Sequence, residues 1–394
     1  MSPRFSPLVD RIAHDGSDPW ALHWRARAAQ AAGEDVIVLS VGDPDLDTPA
    51  PVIDKAIERL RDHDTHYTES GGRLPLREAI ASAHIERTGQ QVTADNVIFL
   101  NGAQNGLFVS AQVISTVGDE VITFDPMYAT YPATLRASGA TMVRVPAPAS
   151  RNFHPDLDAF EAAITPRTRA VFLATPSNPS GVVLTAGEVE RLASLAERHS
   201  LWIVSDEVYS GTAVDGRIPS LGARLPEQVL TVSSLSKTHA MTGWRCGWVV
   251  GPKTFVAHAD LLAQCMIYGL PGFIQEAALV AVGMRHQAEL EVRTFCRARR
   301  DTFYRALEGV AAARPLLPDA GMFMLLDIRA SGLTAAAFVE GLYEAERVSV
   351  LDGAVFGRET KDFVRVCFAT DEASLLEAAK RIRRFAATLT PPAG

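Results

Sequence analysis

From residue 97 onward the chain alternates short apolar runs with helical stretches, and that alternation restricts the fold more than any other feature. Apolar runs stand at 97–100, 120–124, 141–145, 169–173, 201–206, 229–233 and 247–251, and helical patterns separate most of them. Runs this short and apolar throughout read as strands buried on both faces. Strands alternating with helices build a mainly parallel sheet covered on both sides. The fold class is therefore α/β, with a mainly parallel seven-stranded sheet and helices on both faces. Ligands of such a sheet belong at the carboxyl ends of its strands.

The pattern changes beyond residue 252. Helical periodicity dominates 253–309, followed by a strand at 321–327 and a helix at 334–346. Strands near 348–350 and 363–368 and a helix at 371–386 complete a smaller α+β domain. Residues 1–35 read as irregular and then helical, 36–40 as a strand, and 50–61 and 73–88 as helices. Chain ends often pack together, which assigns the N-terminal arm to the smaller domain. The expected division is 1–45 for the arm and part of the small domain, 46–285 for the large domain and 286–394 for the small C-terminal domain. A length of 394 residues supports about two domains. Residues 390–394 read as a frayed tail.

Composition excludes several classes. The net charge of −8 is spread without long runs, which argues against a nucleic-acid or anionic-membrane surface. No apolar run approaches the ~20 residues of a membrane span, and the N-terminus carries no apolar signal core. Cys246, Cys265, Cys296 and Cys367 form no CxxC pair and no metal-ligand spacing. They read as reduced thiols of a cytoplasmic protein without a bound metal.

The chemistry-bearing residues collect at turns and strand ends. Gly102, Ala103 and Gln104 lie in a turn entering a helix, where backbone amides and the helix N-terminus point at an anion. Tyr128 follows a strand and suits either a flat ring or a core. Asn178 sits in a loop fixed by Pro176, Pro179 and Gly181. Asp206 ends an apolar strand, where an acid is costly without a partner. A protonated pyridine nitrogen, a helix cap or a salt bridge would each serve. Tyr209 stands three residues on. Gly42 lies in a turn-rich loop with exposed backbone N–H groups, and Tyr67 in a glycine-rich loop where it either reaches a phosphate or packs. Trp20, His23 and Trp24 read as packing aromatics, or as an arm whose Trp20 or His23 touches substrate. Arg365, inside an apolar strand, requires an anion, either a structural carboxylate or a substrate's.

The densest stretch runs from Ser233 to Gly247. Lys237 follows Ser234 and Ser236, and Arg245 stands eight residues later, flanked by Gly243 and Gly247. A desolvated lysine amine near other positive charge combines with an aldehyde. Two hydroxyls and a guanidinium fork suit a phosphate monoester, and the two glycines let backbone approach closely. An aldehyde-binding amine among phosphate ligands describes a pyridoxal 5'-phosphate site.

Motif order and spacing together resemble the aspartate-aminotransferase family, class I/II aminotransferases of fold type I, over nearly the whole chain. The stretch 234–247 and the segment 265–271 are most similar to bacterial arginine–pyruvate transaminases, with aspartate transaminases close behind. The resemblance implies Lys237 as Schiff-base lysine and proton shuttle, and Asp206 as partner of the pyridine nitrogen. It implies Tyr209 and Asn178 on the ring hydroxyl and Tyr128 stacked on the ring. Gly102, Ala103, Gln104, Ser234, Ser236 and Arg245 are implied to hold the phosphate. Tyr67 is implied to reach the phosphate of a neighbouring subunit, hence a homodimer with shared sites. Arg365 takes the substrate α-carboxylate, helped by Asn178 and the backbone at Gly42.

Two departures concern specificity. Some relatives read an acidic side chain with a lysine where Gln104 stands; others use a partner-chain arginine, and residues 268–273 offer none. Both weaken the case for a strictly dicarboxylate pocket. The implied reaction is a ping-pong transfer between an amino acid, arginine or aspartate foremost, and pyruvate, 2-oxoglutarate or oxaloacetate. A β-lyase on the same scaffold would share the lysine, acid and arginine. A transaminase-like regulator domain would need a DNA-binding domain, for which neither the short leading segment nor any basic patch speaks.

Overall fold

The computed structural model describes residues 3–13, 20–216 and 218–389. The expected tail at 390–394 lies outside them.

The strand β1 (Ile37–Val38) precedes the helices Ala50–Arg61 and Leu74–Thr88. Seven strands then follow: β2 (Val97–Asn101), β3 (Glu120–Asp125), β4 (Thr141–Pro146), β5 (Thr168–Ala174), β6 (Trp202–Asp206), β7 (Val229–Ser234) and β8 (Cys246–Val250). They form one sheet in the order β2-β8-β7-β6-β5-β3-β4. Neighbours from β4 to β7 pair in parallel, and β8 alone runs antiparallel to both its neighbours.

The apolar runs are continuous because this sheet has two cores. Val171, Ile203 and Val229 pack with Phe160, Leu192 and Ala196 on one side. Phe172, Val204 and Leu230, each one residue further on, pack with Leu107, Val109 and Phe255 on the other. Successive side chains point to opposite faces, so each strand must be apolar at every position. Each fully buried Val, Leu or Phe contributes about 1.5–3 kcal/mol relative to exposure.

The C-terminal part adds β9 (Arg314–Pro315), β10 (Phe323–Asp327), β11 (Val348–Ser349), β12 (Leu351–Asp352) and β13 (Phe363–Cys367). Four of these make an antiparallel sheet in the order β12-β13-β10-β9. β1 pairs in parallel with β11, through Ile37 opposite Val348, so the N-terminal segment joins this part. The long helices Arg285–Leu307 and Glu372–Thr388 cover it.

Two readings need correction, and two strands were missed. The strand expected from residue 321 begins at Phe323, because Gly321 takes φ +86 and its N–H bonds Thr212 Oγ1 at 2.8 Å. The strand expected at 36–40 keeps ladder pairing only at Ile37 and Val38. β9 and β12, two residues each, were too short to show any period.

Candidate active site

A cavity of about 210 Å³ opens where the carboxyl ends of β5, β6 and β7 meet β10 and β13. Ala174, Asp206 and Ser234, the last residues of three parallel strands, all line it. Register explains the arrangement: Ala174 stands opposite Asp206, and Asp206 opposite Val232.

Asp206 is buried. Its carboxylate accepts from the Tyr131 hydroxyl at 3.3 Å and from the Val208 N–H at 3.3 Å. Among the described residues it has no ion-pair partner and caps no helix, so neither structural explanation accounts for it. Burial pushes its pKa up to about 7.

Lys237 enters from the loop after β7. Its Nζ donates to the Gly42 carbonyl at 2.6 Å. Desolvation lowers its pKa; Arg365 and Arg245 act in the same direction, while Asp43 opposes them. That is the condition for a nucleophilic amine.

Arg365 lies on β13, 2 % exposed. It donates to Asn178 Oδ1 at 2.9 Å and to the Ser40 carbonyl at 2.7 Å, and its Nε has no protein acceptor. Its guanidinium lies 3.9 Å from the centre of the Phe323 ring and 4.7 Å from that of Phe356. Among the described residues no carboxylate pairs with it, and burial lowers its pKa to about 10. Among the described residues the cavity therefore holds a buried acid and a buried guanidinium without counter-ions, each costly unless a ligand supplies one.

Other lining residues have the chemistry to hold an anion. They are Ser234, Ser236, Ala103, Gln104 and Arg245. Gly102, at φ +78, leaves room for the Arg245 guanidinium, which a Cβ would strike. Gly247 packs on the Gly102–Ala103 backbone, again with no space for a side chain. Gly243 corrects the expectation of close approach: nothing lies within 4 Å of a Cβ placed there. Gln104 turns its amide to the helix Tyr131–Ser138, donating to Thr134 Oγ1 at 2.9 Å and accepting from Thr130 Oγ1 at 2.8 Å.

Tyr128, Tyr209 and Asn178 line the cavity as well. Tyr128 stands edge-on to Tyr131 with ring centres 5.8 Å apart, and Tyr209 edge-on to Phe323 at 5.8 Å. Burial raises both phenol pKa values, that of Tyr209 well above the ordinary 10. Trp20 reaches the cavity, whereas His23 does not: its Nδ1 lies 2.9 Å from Ser40 Oγ. Tyr67 is not brought to the cavity within this chain; it is 89 % exposed and edge-on to Tyr268 at 5.2 Å.

Sequence reasoning missed Tyr131, Phe323, Ser40 and Thr242. Tyr131 follows Tyr128 by three positions and carried a weak signal; the other three act through contacts that span the chain.

Among the described residues, no helix is long and apolar enough to cross a membrane, and no acidic, histidine or cysteine group has metal-binding form.

Comparison with known proteins shows the family. The family described as "Aminotransferase class I and II" matches residues 34–382. The chain is 45% identical over 389 residues to an arginine–pyruvate transaminase of Pseudomonas aeruginosa, covering 98% of this chain and 99% of the relative. It is 32% identical over 388 residues to an aspartate aminotransferase of Geobacillus stearothermophilus, covering 96% and 98%. The solved aspartate aminotransferase of Thermus thermophilus with maleate superposes with a TM-score of 0.92 at 31% identity, covering 98% of this chain and 100% of that one. The chain belongs to the class I and II aminotransferases.

Proposed function

We propose that this aminotransferase binds pyridoxal 5'-phosphate in the cavity at the ends of β5, β6 and β7 and moves an amino group from an amino acid to a 2-oxo acid. The observation that carries the reading is the carboxylate of Asp206, buried, without an ion-pair partner among the described residues, and sharing one cavity with Lys237 and Arg365. A buried acid without a cation fits a ligand that brings its own, such as a protonated pyridine. The cradle of Ser234, Ser236, Arg245 and the Gly102–Gln104 turn fits a phosphate, and Arg365 fits a carboxylate.

When bound, the cofactor supplies an aldehyde carbon and a ring that draws electron density from the donor's α-carbon. Asp206 keeps a proton on the ring nitrogen. Asn178 and Tyr209 would hold the ring hydroxyl, and Tyr128 would cover the ring face. Arg365 clamps the α-carboxylate, with Asn178 and the backbone at Gly42 beside it, and so fixes the donor's orientation. Lys237 Nζ would take the proton from the donor's α-carbon and, in the return half, would deliver one to the acceptor's α-carbon.

Further elements of the proposal rest on the surface. Ile53, Ile57 and Leu60 of the helix Ala50–Arg61 are exposed, as are Tyr67, Met266 and Tyr268. A second copy of the chain covering them gives a homodimer, with Tyr67 reaching the partner's phosphate. The division at residues 45 and 285 and a cytoplasmic location belong to the same reading. Arginine or aspartate is the proposed donor, with pyruvate, 2-oxoglutarate or oxaloacetate as acceptor.

A half-reaction test decides. Donor added to the loaded enzyme should shift the cofactor absorbance and release the 2-oxo acid, and an acceptor should reverse both. Loss of ammonia without acceptor turnover would indicate a lyase instead.

A further inference from the structure

Three cationic side chains line the cavity: Lys237, Arg245 and Arg365. Each has a place in the reading above, at the amine, the phosphate and the α-carboxylate. No fourth cation from the described residues is left for the far end of a donor. Gln104 does not fill that role, since its amide is engaged by Thr130 and Thr134. What remains of the lining includes the Trp20 indole and Val41. Thr242, also in the lining, donates to the carboxylate of Asp43 at 2.8 Å. A carboxylate therefore stands one hydrogen bond from a residue of the cavity lining.

Such a lining discriminates by charge. A second carboxylate on the donor would lose water and gain no cation. A planar cation would gain the negative face of an indole, the strongest aromatic partner for a guanidinium, and the field of Asp43. We propose that Trp20, with the Thr242–Asp43 pair of the same cavity lining, sets specificity for the donor side chain. Its preferred substrate class is an α-amino acid whose side chain ends in a planar cation. This inference rests on the aminotransferase reading and deepens it.

The test uses unreactive acids, so that it reads binding apart from turnover. Calorimetry on the loaded wild-type enzyme compares 5-guanidinopentanoate, hexanoate and glutarate. The guanidino acid should bind most tightly and glutarate least. Trp20→Leu keeps an apolar wall and should weaken the guanidino acid about tenfold, with hexanoate held within about twofold. Trp20→Phe should fall between. Asp43→Asn should weaken the guanidino acid alone. Tighter binding of glutarate by the wild type, or an equal loss of guanidino acid and hexanoate in Trp20→Leu, would overturn the proposal. Absence of amino transfer from every donor would strike the aminotransferase reading and leave these binding ratios standing.

Discussion

Lys237 Nζ donates to the carbonyl oxygen of Gly42, 195 positions earlier in the chain, at 2.6 Å. The bond is one of several between the segment after β1 and the loop after β7. Thr242 bonds Asp43 at 2.8 Å, Thr48 bonds the Ala240 carbonyl at 2.8 Å, and the Trp244 indole bonds Thr48 at 3.1 Å. The N-terminal segment thus holds the lysine loop in register with the cavity. It offers the amine a neutral acceptor and leaves it available to a ligand.

Replacing Lys237 by Ala should abolish turnover while the remaining cradle still binds the cofactor non-covalently. Borohydride treatment followed by mass analysis should add cofactor mass to the wild type and none to the variant. Measurable transaminase activity in Lys237→Ala would end the assignment.

Arg365 should show opposite effects on binding and stability. It is buried, lacks a carboxylate and leaves Nε without an acceptor. Removing a buried charge that has no counter-ion is often neutral or favourable to folding. Arg365→Met should therefore leave the ligand-free protein at least as stable, relief of the buried charge outweighing about 1 kcal/mol for each of the Asn178 and Ser40 oxygens left without a donor. The same change removes charge-assisted bonds to the substrate. KM for donor and acceptor should rise roughly 100-fold. A lower melting temperature with an unchanged KM would mark a purely structural arginine.

Most of the sheet was legible because its strands are buried on both faces, which leaves an uninterrupted apolar run for each. The helices flanking residue 65 were equally plain from their period. Legibility failed where a contact spans the chain. Phe323 under Arg365 and the Ser40 carbonyl beside it are apolar and backbone groups with no chemical mark of their own. Tyr67 illustrates the other limit, since its exposed ring, among the described residues, stands edge-on to Tyr268 and away from the cavity. Asp206 and Arg365 stood out because each is a charge in an apolar strand.

The acid at 206 gives a pH test with a definite sign. Burial pushes its pKa up to about 7, against 3.8 for the free group. Between those values the folded chain holds a proton that the unfolded chain has lost, so stability falls as pH rises through that window. The loss approaches ~4 kcal/mol at most. His239 and His84, whose pKa values burial lowers, slope the other way below pH 6.5, so the comparison must be with a variant. Denaturant midpoints of cofactor-free wild type and Asp206→Asn should lie close together near pH 4.5, where only about 1 kcal/mol of that loss has accrued. By pH 7.5 the variant should be the more stable, while the loaded variant turns over far more slowly. Equal midpoints at both pH values would show that the carboxyl finds a partner in solution.

Gly247 and Gly243 make a controlled pair, two glycines four positions apart on either side of Arg245. A methyl group at 247 would overlap the Gly102–Ala103 backbone; one at 243 would meet nothing within 4 Å. Overpacking of that kind costs about 1–3 kcal/mol, and here the displaced amides are those proposed to hold the phosphate. Gly247→Ala should lower the melting temperature and release cofactor on gel filtration. Gly243→Ala should stay within about 0.5 kcal/mol of wild type and keep its cofactor. If the effects came in the reverse order, the phosphate would lie elsewhere and the turn at 102–104 would be an ordinary helix entry.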